Sequence, residues 1–290
     1  MTTPRTEHRA WFHRRRRFAN RAMWVTAILM TMIALTPLFM VLYYLLAQGL
    51  PALNWDFFTQ LPKPPGETGG GMLNAIVGTL ILVGLASVFG LPVGILGGIY
   101  LAEFGNNRTG AAIRFFADVL ASAPSIVIGI VVYTVVVLQT RHFSALAGGL
   151  ALGIMMIPTI TRTTEELVRL VPRAQREAAL SLGVTHTTTV FTVVLAAAKG
   201  GVITGILLAI ARIAGETAPL LFTAFGSGLL SVRLDQPIAS LPVQIYTYAT
   251  GPYDDWHAQA WAGAFVLVAM ILILSVAARY ATKGRLRLVR

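Results

Sequence analysis

Cysteine is absent from this 290-residue chain, and acidic residues are few: twelve Asp and Glu against 23 Lys and Arg. Without cysteine there is no disulfide framework, no thiolate metal site and no cysteine nucleophile. Charge of either sign is scarce. It makes up 12% of residues, about half the share of a water-soluble domain. The phosphate-cradling run G-x-x-x-x-G-K-[ST] occurs nowhere, so the chain has no ATPase site of that kind and any chemical energy must arrive through a partner. What is present in quantity is apolar surface. At 56% hydrophobic residues the chain has too much of it to hide from water, and a bilayer is the simplest solvent for it.

Six stretches are long and apolar enough to cross a hydrocarbon core, which takes ~20 residues of helix. They are about Ala22–Gln48, Met72–Ala102, Ile113–Leu138, Phe143–Thr161, Val190–Phe225 and Trp261–Tyr280. The chain therefore reads as an all-α, polytopic membrane protein with about six transmembrane helices. The first stretch is much longer than the apolar core of a signal peptide. The fifth is too long for one straight span, which predicts a break. Pro92, Pro124 and Pro158 predict bends in the second, third and fourth spans. Glycines 90, 94, 97 and 98, and again 201 and 205, recur at helical spacing and predict close helix packing.

The basic residues fall on one side. The segment before the first span, the loops after the second and fourth spans, and the segment after the sixth together hold eighteen Lys and Arg. The opposite loops hold only Lys63, Arg141 and Arg233. The positive-inside rule puts the eighteen, and both termini, in the cytoplasm. The chain then divides into a basic tail at 1–21, a first span at 22–48, a transmembrane domain at 72–282 with a cytoplasmic loop at 162–189, and a second basic tail at 283–290. Basic tails anchor topology and touch anionic lipid headgroups. Nucleic-acid binding would need a folded basic face or a motif, and neither is present.

The loop after the fourth span is polar yet reads as helical. Thr163-Thr164-Glu165-Glu166 predicts a capping box, with Thr163 as N-cap and Glu166 at its third position. That helix stops near Val171 because Pro172 follows. Pro172 opens a second helix, about Arg173–Leu182, which ends at Gly183. Its small residues Ala178 and Ala179 lie beside Leu182 on a face that a partner can approach closely. An amphipathic interfacial hairpin is the plainer alternative.

The fifth span carries charge. Arg212 and Glu216 are four residues apart, which predicts one helix face and mutual reach. Gly215 and Pro219 bracket Glu216 and mark the break. Charged residues at membrane depth face a bundle interior or a water-filled path. A cation there suits an anion, because arginine holds phosphate-like groups with a planar fork of donors. A structural ion pair locking two helices together is the alternative. Arg162, at the end of the fourth span, and Lys199, near the start of the fifth, are placed to snorkel to the interface. Asp118, early in the third span, is expected to be capped or paired. Tyr246, Tyr248, Tyr253, Trp256 and Trp261 read as an aromatic belt on the side opposite the basic loops.

Glu177-Ala178-Ala179, three residues, Gly183, nine residues and Val193-Val194-Leu195 together resemble the EAA loop of ABC importer permeases. Val193 replaces the usual Ile, and Ala196 stands where that pattern ends in Pro. The run Ala211–Leu221 (ARIAGETAPLL) resembles the PstA-type permease subunits of bacterial phosphate ABC importers. Ile157–Glu166 and Leu241–Tyr246 resemble them too, and the likeness extends from about Met72 to the C-terminus. The resemblance implies the type I permease fold of ABC importers and a transporter subunit rather than an enzyme, with no cofactor or metal. It implies that Glu177, Ala178, Ala179 and Gly183 couple to an ATPase subunit, and that Arg212, Glu216 and Arg162 belong to the translocation pathway. The implied partners are a second homologous permease, two ATP-binding ATPase subunits, an extracytoplasmic phosphate-binding protein, inorganic phosphate and the lipid of the inner membrane.

Three other readings remain at this stage. A sister permease for sulfate, molybdate or phosphonate fits the EAA loop equally well. A passive channel is not excluded by the residues alone. An intramembrane enzyme needs paired carboxylates or a histidine cluster at depth, whereas the five histidines lie outside the spans or at their edges and Glu216 is the one deep carboxylate.

Overall fold

A computed structural model of the chain describes residues 5–286; Arg287 and Arg290 of the second basic tail lie outside the described residues. In chain order, the helices before the central hairpin are α1 (Arg5–Ala52), α2 (Trp55–Thr59), α3 (Leu73–Glu103), α4 (Arg108–Ser122), α5 (Ser125–Val132) and α6 (Leu138–Thr140). They are followed by α7 (Ala145–Arg169), α8 (Arg173–Ser181), α9 (His186–Thr189), α10 (Leu195–Ala214), α11 (Ala218–Thr223), α12 (Leu241–Ala249) and α13 (Asp254–Leu286). Single π-helical turns join α5 to α6 at Tyr133–Val137 and α9 to α10 at Val190–Val194. No strand occurs among the described residues.

Five continuous helices are long and apolar enough to cross a membrane, and a bent pair makes the sixth. The third stretch bends at Pro124 as expected, but far more sharply than a kink: α4 and α5 meet at 103°. Pro124 is the cause. The residue before a proline is pushed out of the helical region, and Ala123 sits at φ −66°, ψ 134°, which ends α4 and redirects the chain. Pro92 and Pro158, by contrast, lie inside the unbroken α3 and α7. α1 has 48 residues and runs about 72 Å at 1.5 Å per residue, so the basic segment ahead of the apolar one is helical as well.

The centre of the bundle is α3 against α7. Small residues let the two backbones close on one another, which is how helices pack where lipid removes the hydrophobic drive. A Cβ at Gly98 would stand 2.6 Å from the Thr161 carbonyl oxygen, and one at Gly94 would stand 2.8 Å from Ile160. α7 answers with glycines of its own, Gly149 against Leu85 and Gly153 against Phe89. α10 runs antiparallel along α7, with Gly201 on Leu167 and Gly205 on Thr163. Leu82, Met156, Ile160, Ile213 and Leu220 fill the core among these helices.

The fourth stretch ends differently from its sequence reading. α7 passes through Thr161 without a stop and reaches Arg169. Thr163 is an interior residue that donates from Oγ1 to the Thr159 carbonyl at 2.8 Å, so there is no capping box and no new helix at that point. A Thr-x-x-Glu run marks a helix start only where the preceding turn is open, and here Ile157–Arg162 already supplies helical carbonyls.

Candidate functional site at the helix break and the basic end

The fifth stretch is interrupted where its charges are. α10 ends at Ala214, the chain passes through Gly215, Glu216 and Thr217, and α11 begins at Ala218. The backbone N–H groups of Gly215 and Glu216 donate to the carbonyls of Arg212 and Ile213 at 3.3 and 3.2 Å, closing the last turn. Pro219 sits in the first turn of α11, where its missing N–H costs nothing. It is buried against Gly129 of α5, where a Cβ would come within 2.7 Å of its Cα. This break corrects the expected pairing. Helical i, i+4 spacing does not operate across a chain that leaves the helix at Gly215, and Arg212 and Glu216 make no ion pair. Arg212 is exposed, Glu216 is half-buried, and neither side chain has a polar partner among the described residues.

At the end of the bundle that carries Arg108, Arg162 and Arg173, a charge network ties three helices together. Glu165 of α7 is its hub, with a side chain only 4% exposed. Its Oε1 accepts from Arg114 Nε of α4 at 2.7 Å and lies 3.0 Å from Arg169 Nη2. Its Oε2 lies 3.5 Å from Arg162 Nη1. Arg114 also donates to the carbonyls of Gly105 and Leu101, both at 3.0 Å, and so caps the end of α3. Arg162 closes its fork on Asp118 of α4: Nε donates to Oδ1 at 3.0 Å and Nη2 to Oδ2. Asp118 is thus paired, as expected for an acid in a span.

Beyond α7 lies the hairpin. α8 begins after Pro172, which is the N-cap rather than the first helical residue, and ends before Gly183 at φ +79°. That left-handed conformation favours glycine. Arg176 fastens the hairpin from beneath. Its Nη2 donates to Glu103 at 2.8 Å and to the Val168 carbonyl at 2.8 Å, and its Nη1 donates to the Val171 carbonyl. A guanidinium on the last carbonyls of α7 satisfies groups that the helix end leaves open. Ala179 is buried beneath α8, while Glu177, Ala178 and Gly183 are exposed and Leu182 is 84% exposed. A small-residue helix held from one side therefore offers its other side to solvent.

The sequence pattern of the family described as binding-protein-dependent transport system inner membrane component matches residues 94–286. The chain belongs to this family. It is 46% identical over 269 residues to the phosphate transport system permease protein PstA of Xylella fastidiosa (strain Temecula1), covering 92% of this chain and 93% of the relative. It is 44% identical over 265 residues to the protein of the same description from Haemophilus influenzae, covering 91% and 94%. Among solved structures, a bacterial ABC transporter that imports the acidic polysaccharide alginate aligns over 97% of this chain and all of that one. The TM-score is 0.63 at 17% identity. The inward-facing methionine ABC transporter aligns over 76% of this chain with a TM-score of 0.54. The fold is that of an ABC importer permease.

Sequence reading of this family member missed four of the residues that organise its basic end: Glu165, Arg114, Glu103 and Arg176. None has a spacing that announces a partner, because the partners are 51 and 73 residues away in sequence. At the opposite end, the aromatic belt is corrected in part. Tyr248 and Trp256 stack at 4.6 Å between ring centroids, and Tyr248 is buried in the cluster that holds α2, α12 and α13 together. Tyr246, Tyr253 and Trp261 stay exposed. Beside them a cavity of about 450 Å³ opens between residues 225–228 and the start of α12, lined by Ser227, Ser240 and Gln244. Asn74 reaches its rim and donates to the Ser227 carbonyl at 2.6 Å.

Proposed function

We propose that this chain is a permease subunit of an ATP-driven phosphate importer. The observation that carries the reading is the identity of more than two residues in five with phosphate transport system permease proteins along nine-tenths of both chains. A likeness confined to the coupling hairpin would fit a sulfate, molybdate or phosphonate permease as well; a likeness that includes Arg212–Pro219 and Leu241–Tyr246 does not. The chain lies in the bacterial inner membrane, with the basic end and both termini cytoplasmic. It pairs with a second homologous permease, sits on two ATPase subunits, receives phosphate from an extracytoplasmic binding protein and touches membrane lipid.

The residues divide between route and coupling. Arg212, Glu216 and Arg162 belong to the route. Arg212 stands seven residues beyond Gly205 on α10, about 10 Å along the helix axis from the level of Thr163 and Arg162. Two cations at two depths give an anion two stations. The Arg162 station does not hold it so tightly that it cannot leave, because the basic-end carboxylates compete there. Gly215 and Pro219 keep the backbone open beside Arg212, with polar groups that protein or water must satisfy. Glu177, Ala178 and Gly183 form the exposed coupling face for the ATPase, Ala179 packs beneath it against the bundle, and Arg176 and Glu103 hold the hairpin to the ends of α7 and α3.

Phosphate uptake by the reconstituted complex tests the route. Arg212→Ala and Glu216→Ala are each expected to abolish uptake while leaving assembly intact, and unimpaired uptake by either removes it from the route. Deletion of residues 177–183 is expected to abolish co-purification of the ATPase while the chain remains in the membrane. Retained binding sinks the coupling role.

A further inference from the structure

Within the basic-end network, Arg162 is held unlike its neighbours. Arg114 is fixed by Glu165 and two backbone carbonyls, Arg176 by Glu103 and two carbonyls, and Arg169 by Glu165 and the Leu101 carbonyl. Arg162 has no carbonyl at all. Its contacts are the two oxygens of Asp118 and, at 3.5 Å, one oxygen of Glu165. The pair is also open to solvent, with side chains 35% and 58% exposed, whereas Glu165 is 4% exposed. Three arginines here share two carboxylates. With Asp118 swung out, Glu165 Oε2 still faces Nη1 of Arg162 at 3.5 Å, but the Nε–Nη2 edge of the fork, which Asp118 fills, has no other partner among the described residues.

A carboxylate seated with two oxygens in a guanidinium fork has the geometry of a phosphate in the same place. We infer that Asp118 is a built-in competitor for the transported anion at Arg162. It fills the fork when no anion is present, and the anion displaces it in passing. The inference rests on the phosphate-route reading of Arg162 and adds to it the residue that sets how tightly that station holds its cargo. The physical need is clear. A bare arginine in a membrane protein is costly, so a stand-in offsets the charge of Arg162 and keeps its fork oriented. An exposed ion pair contributes little stability, so exchange is easy. Because Asp118 rides on α4 and Arg162 on α7, each exchange also unties one link between those helices.

The test uses the complete complex of permeases and ATPase subunits, purified without the binding protein, and radiolabelled inorganic phosphate. Removal of the competitor in Asp118→Asn is expected to tighten phosphate binding about fivefold, and Asp118→Glu, which keeps a carboxylate, is expected to stay near wild type. The tightening is expected to vanish when Arg162→Gln is added. Unchanged or weaker binding in Asp118→Asn overturns the inference. Asp118→Ser repeats the removal with a smaller side chain, and failure of both removal variants to assemble also overturns it, since the pair is then a structural clamp. The swapped pair Asp118→Arg with Arg162→Asp gives a separate readout. It is expected to assemble and melt like wild type but not to transport, and restored transport by the swap overturns the competitor role. Phosphate uptake by the unmutated complex with its binding protein is measured alongside. Absence of uptake there refutes the phosphate reading itself, a result distinct from a failure of the competition.

Discussion

Glu165 shows how much one residue can carry without announcing itself. Its carboxylate is buried, and the guanidinium groups of Arg114, Arg162 and Arg169 converge on it from two helices. Removing one member of a buried charge network strands the others, at a cost of about 3–5 kcal/mol. Glu165→Gln is therefore expected to lower the thermal unfolding midpoint of the purified chain markedly. Glu177→Gln, on the exposed side of α8, is expected to leave it unchanged, and equal midpoints for the two variants contradict the hub role. In sequence, Glu165 and Glu166 are indistinguishable neighbours of equal chemistry. Only the direction of α7 decides that one faces α4 and the other faces solvent.

Among the elements, the pairing of α3 and α7 depends on close backbone approach. Gly98 meets the Thr161 carbonyl and Thr164, so Gly98→Ala forces the helices apart, with a cost of about 1–3 kcal/mol for overpacking. Gly84 on the same helix has open space where its Cβ would be, and Gly84→Ala is expected to be neutral or slightly stabilising. Thermal melts of the two variants in the same detergent check this, and equal losses argue against the packing account. The glycine spacing was legible in the sequence because it follows the helical repeat. The third span's right-angle bend was half legible: Pro124 said that a bend occurs, but its size depends on α11, whose Pro219 packs against Gly129. The false capping box at Thr163 has the same origin. A local motif is read correctly only when the chain before it is known to be non-helical.

At the scale of the whole molecule, the scarcity of cysteine becomes an experimental advantage, because any introduced thiol is the only one. Ser181→Cys on the α8 hairpin is expected to react with a membrane-impermeant maleimide only when the reagent has access to the cytoplasmic face. Val232→Cys, 67% exposed as valine in the loop before α12, is expected to react only from the outside. The opposite pattern reverses the orientation of the bundle. Much of the apolar surface that drove the membrane reading remains uncovered. α1 touches the rest of the chain near its end, where Gly49 lies against Trp261 and Tyr44 stacks on that indole, and its long middle is left to lipid or to another chain.

Composition and pattern alone determined the solvent, about six spans, the break in the fifth and the presence of a helical hairpin after the fourth. These follow from quantities summed along a chain: apolar length, spacing of glycines, and the position of basic residues and prolines. Tertiary structure decided which charges meet. Arg212 and Glu216 are four residues apart and do not pair, because the helix ends between them. Arg162 and Asp118 are 44 residues apart and do. Ion pairs depend on distance in space, and in a bundle of antiparallel helices that distance is set by the register of one helix on its neighbour, which no local spacing records.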